Sequence, residues 1–317
     1  MIEKTPIRFV PYFKSVIWGG EKICTYKEID QTEEKIGESW EISAVHGHES
    51  IVAEGPYKGM SITELIQRFG TELLGPEVFR RYDGKFPLLI KLIDANDNLS
   101  VQVHPDDDLA RIRHDSLGKS EMWYIIDADE GAKIYSGLNR KMTPEEFVRL
   151  VEENAIEQAL AVHDSQAGDV FFLPAGRVHS IGSGNLLAEI QESSDITYRI
   201  YDYGRRDAEG NQRELHTELA KDAIDFTYHE EYRSAPADPE KSYAVIAECS
   251  HFQVGRLLLD GEMELAYDPT SFTVLMCLDG ECSIGEMKLK AGETVLIPAA
   301  MTSFKLNGKA TLLAARS

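Results

Sequence analysis

A nine-residue segment occurs twice in this chain. Ala167-Gly-Asp-Val-Phe-Phe-Leu-Pro-Ala175 returns as Ala291-Gly-Glu-Thr-Val-Leu-Ile-Pro-Ala299, at an offset of 124 residues. Each copy has an Ala-Gly turn, an acid, a short apolar run and a Pro-Ala stop. Proline cannot donate to a sheet ladder, so it ends the strand. One supersecondary unit repeated at a fixed offset implies two copies of one β-barrel. The same register sets Ser303 opposite His179. If His179 binds a metal, the second copy has lost that ligand, so the repeat predicts one working site and one structural unit.

The rest of the chain agrees with a mainly β architecture. Short apolar runs bounded by Gly, Pro and Asp predict strands over 86–94, 99–104, 121–126, 169–173, 186–192 and 197–203. After Ala237, apolar runs recur every eight to twelve residues, the spacing of a sandwich or barrel. Helical periodicity is scarce. Ser61 and Glu64 frame a capping box before Ile62, Leu65, Ile66 and Phe69, and Gly70 stops the run. Thr143 and Pro144 open a second helix, with Phe147, Leu150, Val151 and Ile156 on one face. A third covers 215–223, and the segment 232–240, with Pro236 and Pro239, is the candidate linker. These signals divide the chain into a catalytic unit, 1–235, carrying the helical segments, and a degenerate second unit, 236–317, without metal ligands.

Charge narrows the partners. Lys+Arg number 33 and Asp+Glu 54, a formal net charge of −21. Such a surface repels nucleic acid and anionic lipid. It also opposes phosphorylated small molecules, so a substrate of that kind needs a local cluster of Lys and Arg in a cleft. Cys24, Cys249, Cys277 and Cys282 form no C-x-x-C pair, and none has a histidine at zinc-finger spacing. A reduced, cytoplasmic protein is the expectation. The N-terminus has an early acid and two prolines where a signal peptide carries an apolar core. No apolar run approaches the roughly 18 residues of a membrane span. Nucleic acid and membrane are therefore not expected partners, and the chain is expected to be a monomer or a weak homo-oligomer.

The residues that carry chemistry lie in the middle. Gln102 and His104 are two apart on a predicted strand, so their side chains share a face, and Pro105 ends the strand. Gly168-x5-Pro174-x-Gly176-x-x-His179 puts a second imidazole just after a tight turn. Glu121 opens an apolar strand beside Met122 and Trp123, where an ionised carboxylate is costly unless it meets a cation. Two imidazoles, a carboxylate and an amide oxygen form a mixed N/O set. It suits Zn²⁺, or Mn²⁺, Fe²⁺ or Co²⁺, with a position left open. The alternative is that Gln102 is a hydrogen-bonded core amide and three residues bind the metal.

The Gly168 to His179 pattern resembles the second motif of the cupin barrels. Gln102-Val-His104-Pro105-Asp106-Asp107, with Gly118-Lys119-Ser120-Glu121, resembles the type I mannose-6-phosphate isomerases. Glu38-Ser-Trp-Glu-Ile-Ser43 and Tyr198-Arg-Ile-Tyr-Asp-Tyr203 are similar to further blocks of that family. The match runs from about Phe9 to Tyr203 and suits the family's short bacterial form, which has no room for the large helical insertion of longer members. The resemblance implies a bicupin fold with one zinc on Gln102, His104, Glu121 and His179. It also implies interconversion of mannose 6-phosphate and fructose 6-phosphate. It places Lys91 and Lys119 in the substrate pocket and the family's catalytic arginine on Arg199.

Aldose–ketose isomerisation needs a base, electrophilic help for charge on oxygen and a clamp on the remote phosphate. Lys119 is two residues before Glu121, so on an extended strand both share a face. A nearby divalent cation would disfavour its ammonium and fit it for proton transfer; the alternative is a loop lysine after Gly118. Lys91 interrupts an apolar run, which fits a cleft-facing cation. Arg199 shares strand parity with Tyr201 and Tyr203. Because arginine stays charged, it is expected to stabilise an oxyanion or phosphate rather than to act as a base. Ser100 offers a hydroxyl to phosphate. Rival readings are a metal oxygenase, another sugar-phosphate isomerase, and a sugar-binding protein without turnover. His46-Gly-His48-Glu49 reads as a turn, Asp106–Asp108 as a solvated cap and Arg205-Arg206 as a solvated pair. Glu41 is a candidate to orient a ligand or a lysine.

Overall fold

The computed structural model describes residues 1–30, 35–206 and 210–317. Among the described residues 19 strands form three sheets. In spatial order, the six-stranded sheet runs Val170–Leu173, Glu121–Ala128, Asn185–Glu192, Leu88–Ala95, Ile36–Ile42 and Tyr12–Gly20. The five-stranded sheet runs Tyr198–Tyr201, Val101–Val103, His179–Ile181, Lys133–Leu138 and Leu160–Asp164. The eight-stranded sheet runs Tyr243–Glu248, Gln253–Ala266, Ser303–Arg316, Thr273–Ile284, Thr294–Ile297, Ile7–Val10 and Ile51–Val52, with Met287–Lys290 beside Thr273–Ile284.

The six-stranded sheet is the middle layer, which explains its composition. Leu88–Ala95 and Asn185–Glu192 are buried at all eight positions each, because both faces are covered. On one face Trp18, Ile93, Trp123 and Leu187 pack with Ile134 and Ile181 of the five-stranded sheet. On the other, Leu88, Ile90, Leu92 and Ile190 pack with Val254, Val274, Met276 and Leu296 of the eight-stranded sheet. The layers meet through side chains, not edge pairing. Among the described residues no strand is shared between two of the three sheets, so they are open, facing sheets rather than the closed barrels expected from the repeat.

The repeat itself is structural. Val170–Leu173 and Thr294–Ile297 are strands at the 124-residue offset. Gly168 and Gly292, with φ of 90° and 81°, make the left-handed turn before each. Ser303 starts its strand as His179 starts its own. The repeat gave no sign that Ile7–Val10 pairs with Thr294–Ile297 in the antiparallel register Ile7 to Leu296. The first strand of the chain thus belongs to the sheet of the last.

All three expected helices form, although the second ends at Glu152 and Ile156 falls in the separate turn Ile156–Ala159. Ile62–Phe69 carries the full Ser61/Glu64 capping box. Together with Thr71–Leu74 and Pro76–Arg81 it reaches the C-terminal sheet, where the Leu73 and Leu74 carbonyls accept from the N–H groups of Ala299 and Phe272. Pro144–Glu152 and Thr217–Ala223 cover the outer face of the five-stranded sheet with Phe147, Leu150 and Ala220. The Asp106–Asp108 run forms the expected cap: Asp106 starts the helix Asp107–His114 by accepting from the Leu109 N–H. No described helix is long and apolar enough to cross a membrane.

Candidate metal centre and substrate pocket

His179 pairs with Gln102 in the five-stranded sheet, and Arg199 pairs with Gln102 from the opposite side. Glu121 begins a strand of the facing sheet, and His104 follows the strand Val101–Val103. Backbone carbonyls orient both imidazoles: His104 Nδ1 lies 2.8 Å from Ile196 O, and His179 Nδ1 lies 2.8 Å from Arg177 O. Each ring therefore donates from Nδ1 and turns an unprotonated Nε2 inward. Those Nε2 atoms lie 3.4 Å (His104) and 3.2 Å (His179) from the two oxygens of Glu121.

All three side chains are almost completely buried, at 2%, 0% and 1% exposure for His104, Glu121 and His179. Neither Glu121 oxygen accepts an aligned hydrogen bond, although Lys119 Nζ lies 2.9 Å away as an ion pair. Burial opposes charge on Glu121, but Lys119 and the imidazoles outweigh it and hold the carboxyl well below its usual range. Burial, reinforced by Lys119, pushes His104 down to about 3, and burial also lowers His179. The result is one carboxylate and two neutral imidazoles, the protonation state in which these groups ligate a metal. A buried anion short of hydrogen bonds fits a cation, and His104, Glu121 and His179 can hold one. Gln102 Nε2 lies 3.2 Å from His179 Nε2, and rotation of the amide presents its oxygen at the same place.

Gln102 and Lys119 also line a pocket of about 410 Å³. Lys91, Ser100 and Arg199 line it too, so every residue singled out for substrate faces one cavity. Lys14 and Arg213 add two further cations, a local reversal of the −21 net charge. Lys91 is buried with Nζ 3.0 Å from Glu189 and 3.6 Å from Glu38, and it sits 5.3 Å from the Trp40 ring centre. Burial works against its charge, but those carboxylates outweigh it and raise its pKa. Arg199 donates from Nη1 to Glu214 O at 3.0 Å, while its Nε has no partner. Burial, with Arg213 nearby, lowers its pKa.

Sequence reasoning missed Glu38, Glu189 and Arg213. Glu189 had the same signal as Lys91, a charge inside a buried run, and the two pair directly across strands. Arg213 lies outside any strand, so no periodicity marks it. The parity of Arg199 with the tyrosines fails because a bulge falls between Arg199 and Tyr201. Tyr203 has φ of 56° and meets Tyr201 edge-on with ring centres 5.0 Å apart, and neither lines the pocket. Glu41 points to the opposite face of its strand from Glu38 and pairs with buried Lys27 at 2.7 Å. Lys119 precedes its strand instead of extending it, yet its Nζ reaches the cluster, 3.0 Å from His104 Nε2. His46 is exposed beside Glu49, and Arg205 is tied to Asp202 outside the pocket.

Stacked sheets with a buried His–Glu–His group beside a cationic pocket describe a β enzyme suited to a small anionic substrate and a bound metal. Residues 7–141 match the catalytic domain model of type I phosphomannose isomerase, and residues 242–317 match the mannose-6-phosphate isomerase cupin domain. A mannose-6-phosphate isomerase of Bacillus subtilis is 36% identical over 313 residues, covering 96% of each chain. One from Streptococcus mutans is 34% identical, covering 95% of each. The crystal structure of a B. subtilis mannose 6-phosphate isomerase superposes with a TM-score of 0.88 at 34% identity, covering 98% of this chain and 99% of that one. A phosphomannose isomerase variant from Salmonella typhimurium shares the fold at a TM-score of 0.82 and 16% identity, with 98% of both chains covered. The chain belongs to the type I phosphomannose isomerase family of enzymes.

Proposed function

We propose that the chain interconverts mannose 6-phosphate and fructose 6-phosphate, with one zinc ion held by Gln102, His104, Glu121 and His179. Bound there, the ion would supply Lewis-acid stabilisation of charge developing on the sugar oxygens. Lys119 is the proton-transfer group, taking a proton from C2 of the aldose and returning it to C1 through an enediol-type intermediate. Its Nζ, which takes that proton as the neutral amine, lies within reach of both Glu121 and His104, which keeps it beside the reacting carbons. Lys91, kept charged by Glu38 and Glu189, steadies the anionic substrate. Arg199, joined by Arg213, takes the phosphate, to which a planar guanidinium can donate two parallel hydrogen bonds. Ser100 adds a hydroxyl from the pocket wall. Binding at the remote phosphate then positions the reacting end.

In the same reading residues 1–235 carry the chemistry, and 236–317 form a second cupin-like unit that serves as scaffold. The protein works in the cytoplasm as a monomer or weak oligomer. One observation carries the proposal: the buried Glu121 carboxylate, short of hydrogen bonds and faced by two inward imidazole nitrogens, adjoins a pocket lined by lysines and arginines.

The test is fructose 6-phosphate formation from mannose 6-phosphate by chelated protein, before and after zinc is restored. Turnover should vanish with the metal and return with it. A zinc-loaded protein that leaves mannose 6-phosphate unchanged would refute the assignment.

A further inference from the structure

Lys119 has no regular element of its own to hold it. It lies between Gly118 and Ser120, just ahead of the strand Glu121–Ala128. Two carboxylates grip the peptide on either side of it. Asp107 Oδ1 accepts the Gly118 N–H at 2.8 Å, and Glu192 Oε1 accepts the Ser120 N–H at 2.7 Å. The loop is also pressed against the helix start, where a Cβ on Gly118 would come within 2.6 Å of Asp107 N.

The remaining oxygens of the same two carboxylates face one side chain from the C-terminal part of the chain. His251 sits in the turn between Tyr243–Glu248 and Gln253–Ala266. Its Nδ1 lies 3.1 Å from Glu192 Oε2, and its Nε2 lies 3.8 Å from Asp107 Oδ2. Glu192 is 2% exposed, and its Oε2 accepts no aligned hydrogen bond, so the His251 ring is the polar group facing it at contact distance. The turn is itself pinned: the His251 N–H donates to Cys249 Sγ at 3.4 Å, and its carbonyl accepts from the Ser317 hydroxyl at 2.8 Å.

We propose that His251 is a positioning residue for the isomerase site. By bridging Glu192 and Asp107, it lets the C-terminal unit set the Gly118–Glu121 loop and with it the Lys119 amine. This rests on the function proposed above for Lys119.

The geometry argues for a bridge and against a second metal site. The ring turns opposite nitrogens to the two carboxylates, whereas a histidine gives one nitrogen to any one ion. Burial pushes Glu192 up to about 7, and burial lowers His251. Those directions suit a largely uncharged Glu192–His251 pair sharing one proton, with Nε2 facing Asp107 across 3.8 Å. The arrangement also gives the C-terminal unit a task in the reaction, although Ser303 stands where His179 would be.

The experiment uses the full-length, zinc-loaded protein with His251→Ala and His251→Gln. It reads kcat and KM for mannose 6-phosphate, the unfolding midpoint, and amide hydrogen exchange across the chain. In His251→Ala, kcat should fall about 10- to 100-fold with KM unchanged, the range that misplacement of a reacting group produces. Exchange at Gly118 and Ser120 should rise about tenfold, while the eight-stranded sheet stays protected. His251→Gln can donate to one of the two carboxylates and should recover part of both losses. Unchanged kcat with unchanged loop exchange would overturn the proposal. So would a loss of kcat that follows global unfolding, with exchange rising everywhere. If the parent protein has no activity toward mannose 6-phosphate, the exchange arm still decides. Loosening confined to the loop then upholds the bridge while the assigned reaction falls.

Discussion

At Lys119 the side-chain Nζ lies 2.9 Å from Glu121 Oε2 and 3.0 Å from His104 Nε2. Replacing it with methionine keeps the bulk beside His104 and Glu121 but removes the proposed proton carrier. Lys119→Met should therefore lower kcat by about 10²- to 10⁴-fold, the usual worth of a general base, with sugar-phosphate affinity retained. Calorimetry on the variant checks the second half, and unchanged turnover would remove Lys119 from the mechanism. Glu192 carries a different signature. Burial raises its carboxyl from 4.5 to about 7, so the folded protein holds a proton there that the unfolded chain has released. The stability this lends is full below pH 4.5 and is lost as pH rises through about 7. Glu192→Gln keeps an oxygen for the Ser120 N–H and removes the titration. The variant should match its parent at pH 4 and exceed it by about 3 kcal/mol at pH 8. Denaturant melts at both pH values test this, and parallel curves would contradict it.

At the scale of elements, the segment from Asp106 to Glu121 is a helix cap, a short helix and a return loop packed back on the cap. The close fit of Gly118 against Asp106 and Asp107 allows no Cβ there without movement. Gly118→Ala should shift the loop, so kcat should drop about tenfold or more, with the metal content unchanged. Metal analysis beside steady-state rates separates a displaced loop from a lost metal. Local chemistry made several elements legible: the Ser61 capping box, the Thr143-Pro144 helix start and the Ala-Gly turns of the repeat all recur in the structure. The bulge after Arg199 was not legible, because a bulge depends on how the partner strand Val101–Val103 pairs. Strand parity drawn from residue spacing alone therefore put Tyr201 and Tyr203 in the wrong place.

For the whole molecule, the layered sheets make the two halves interdependent. Deleting 236–317 would bare Leu88, Ile90, Leu92 and Ile190 on the middle sheet and strip Ile7–Val10 of its partner Thr294–Ile297. A chain ending at residue 235 should therefore aggregate or lack a cooperative melt, as a large exposed apolar face does. Size-exclusion chromatography and thermal circular dichroism check this. A folded, active fragment would mean that the C-terminal half is dispensable.

The sequence by itself determined what rests on short range and chemistry. That covers the mainly β composition, the two related turns, the His104, Glu121 and His179 donors and the cations Lys91, Lys119 and Arg199. Each is readable because alternation, turn residues and a charge in an apolar run are local signals. Only the tertiary structure decided which charges neutralise one another. Lys91 meets Glu189 and Glu38, and Glu192 and Asp107 meet His251, through contacts between residues 53 to 144 positions apart or on different sheets. It also decided that the sheets stay open and that the first strand closes onto the last sheet. Such pairings are settled by the packing of whole layers, where a buried charge must find a partner and a covered face must find its cover.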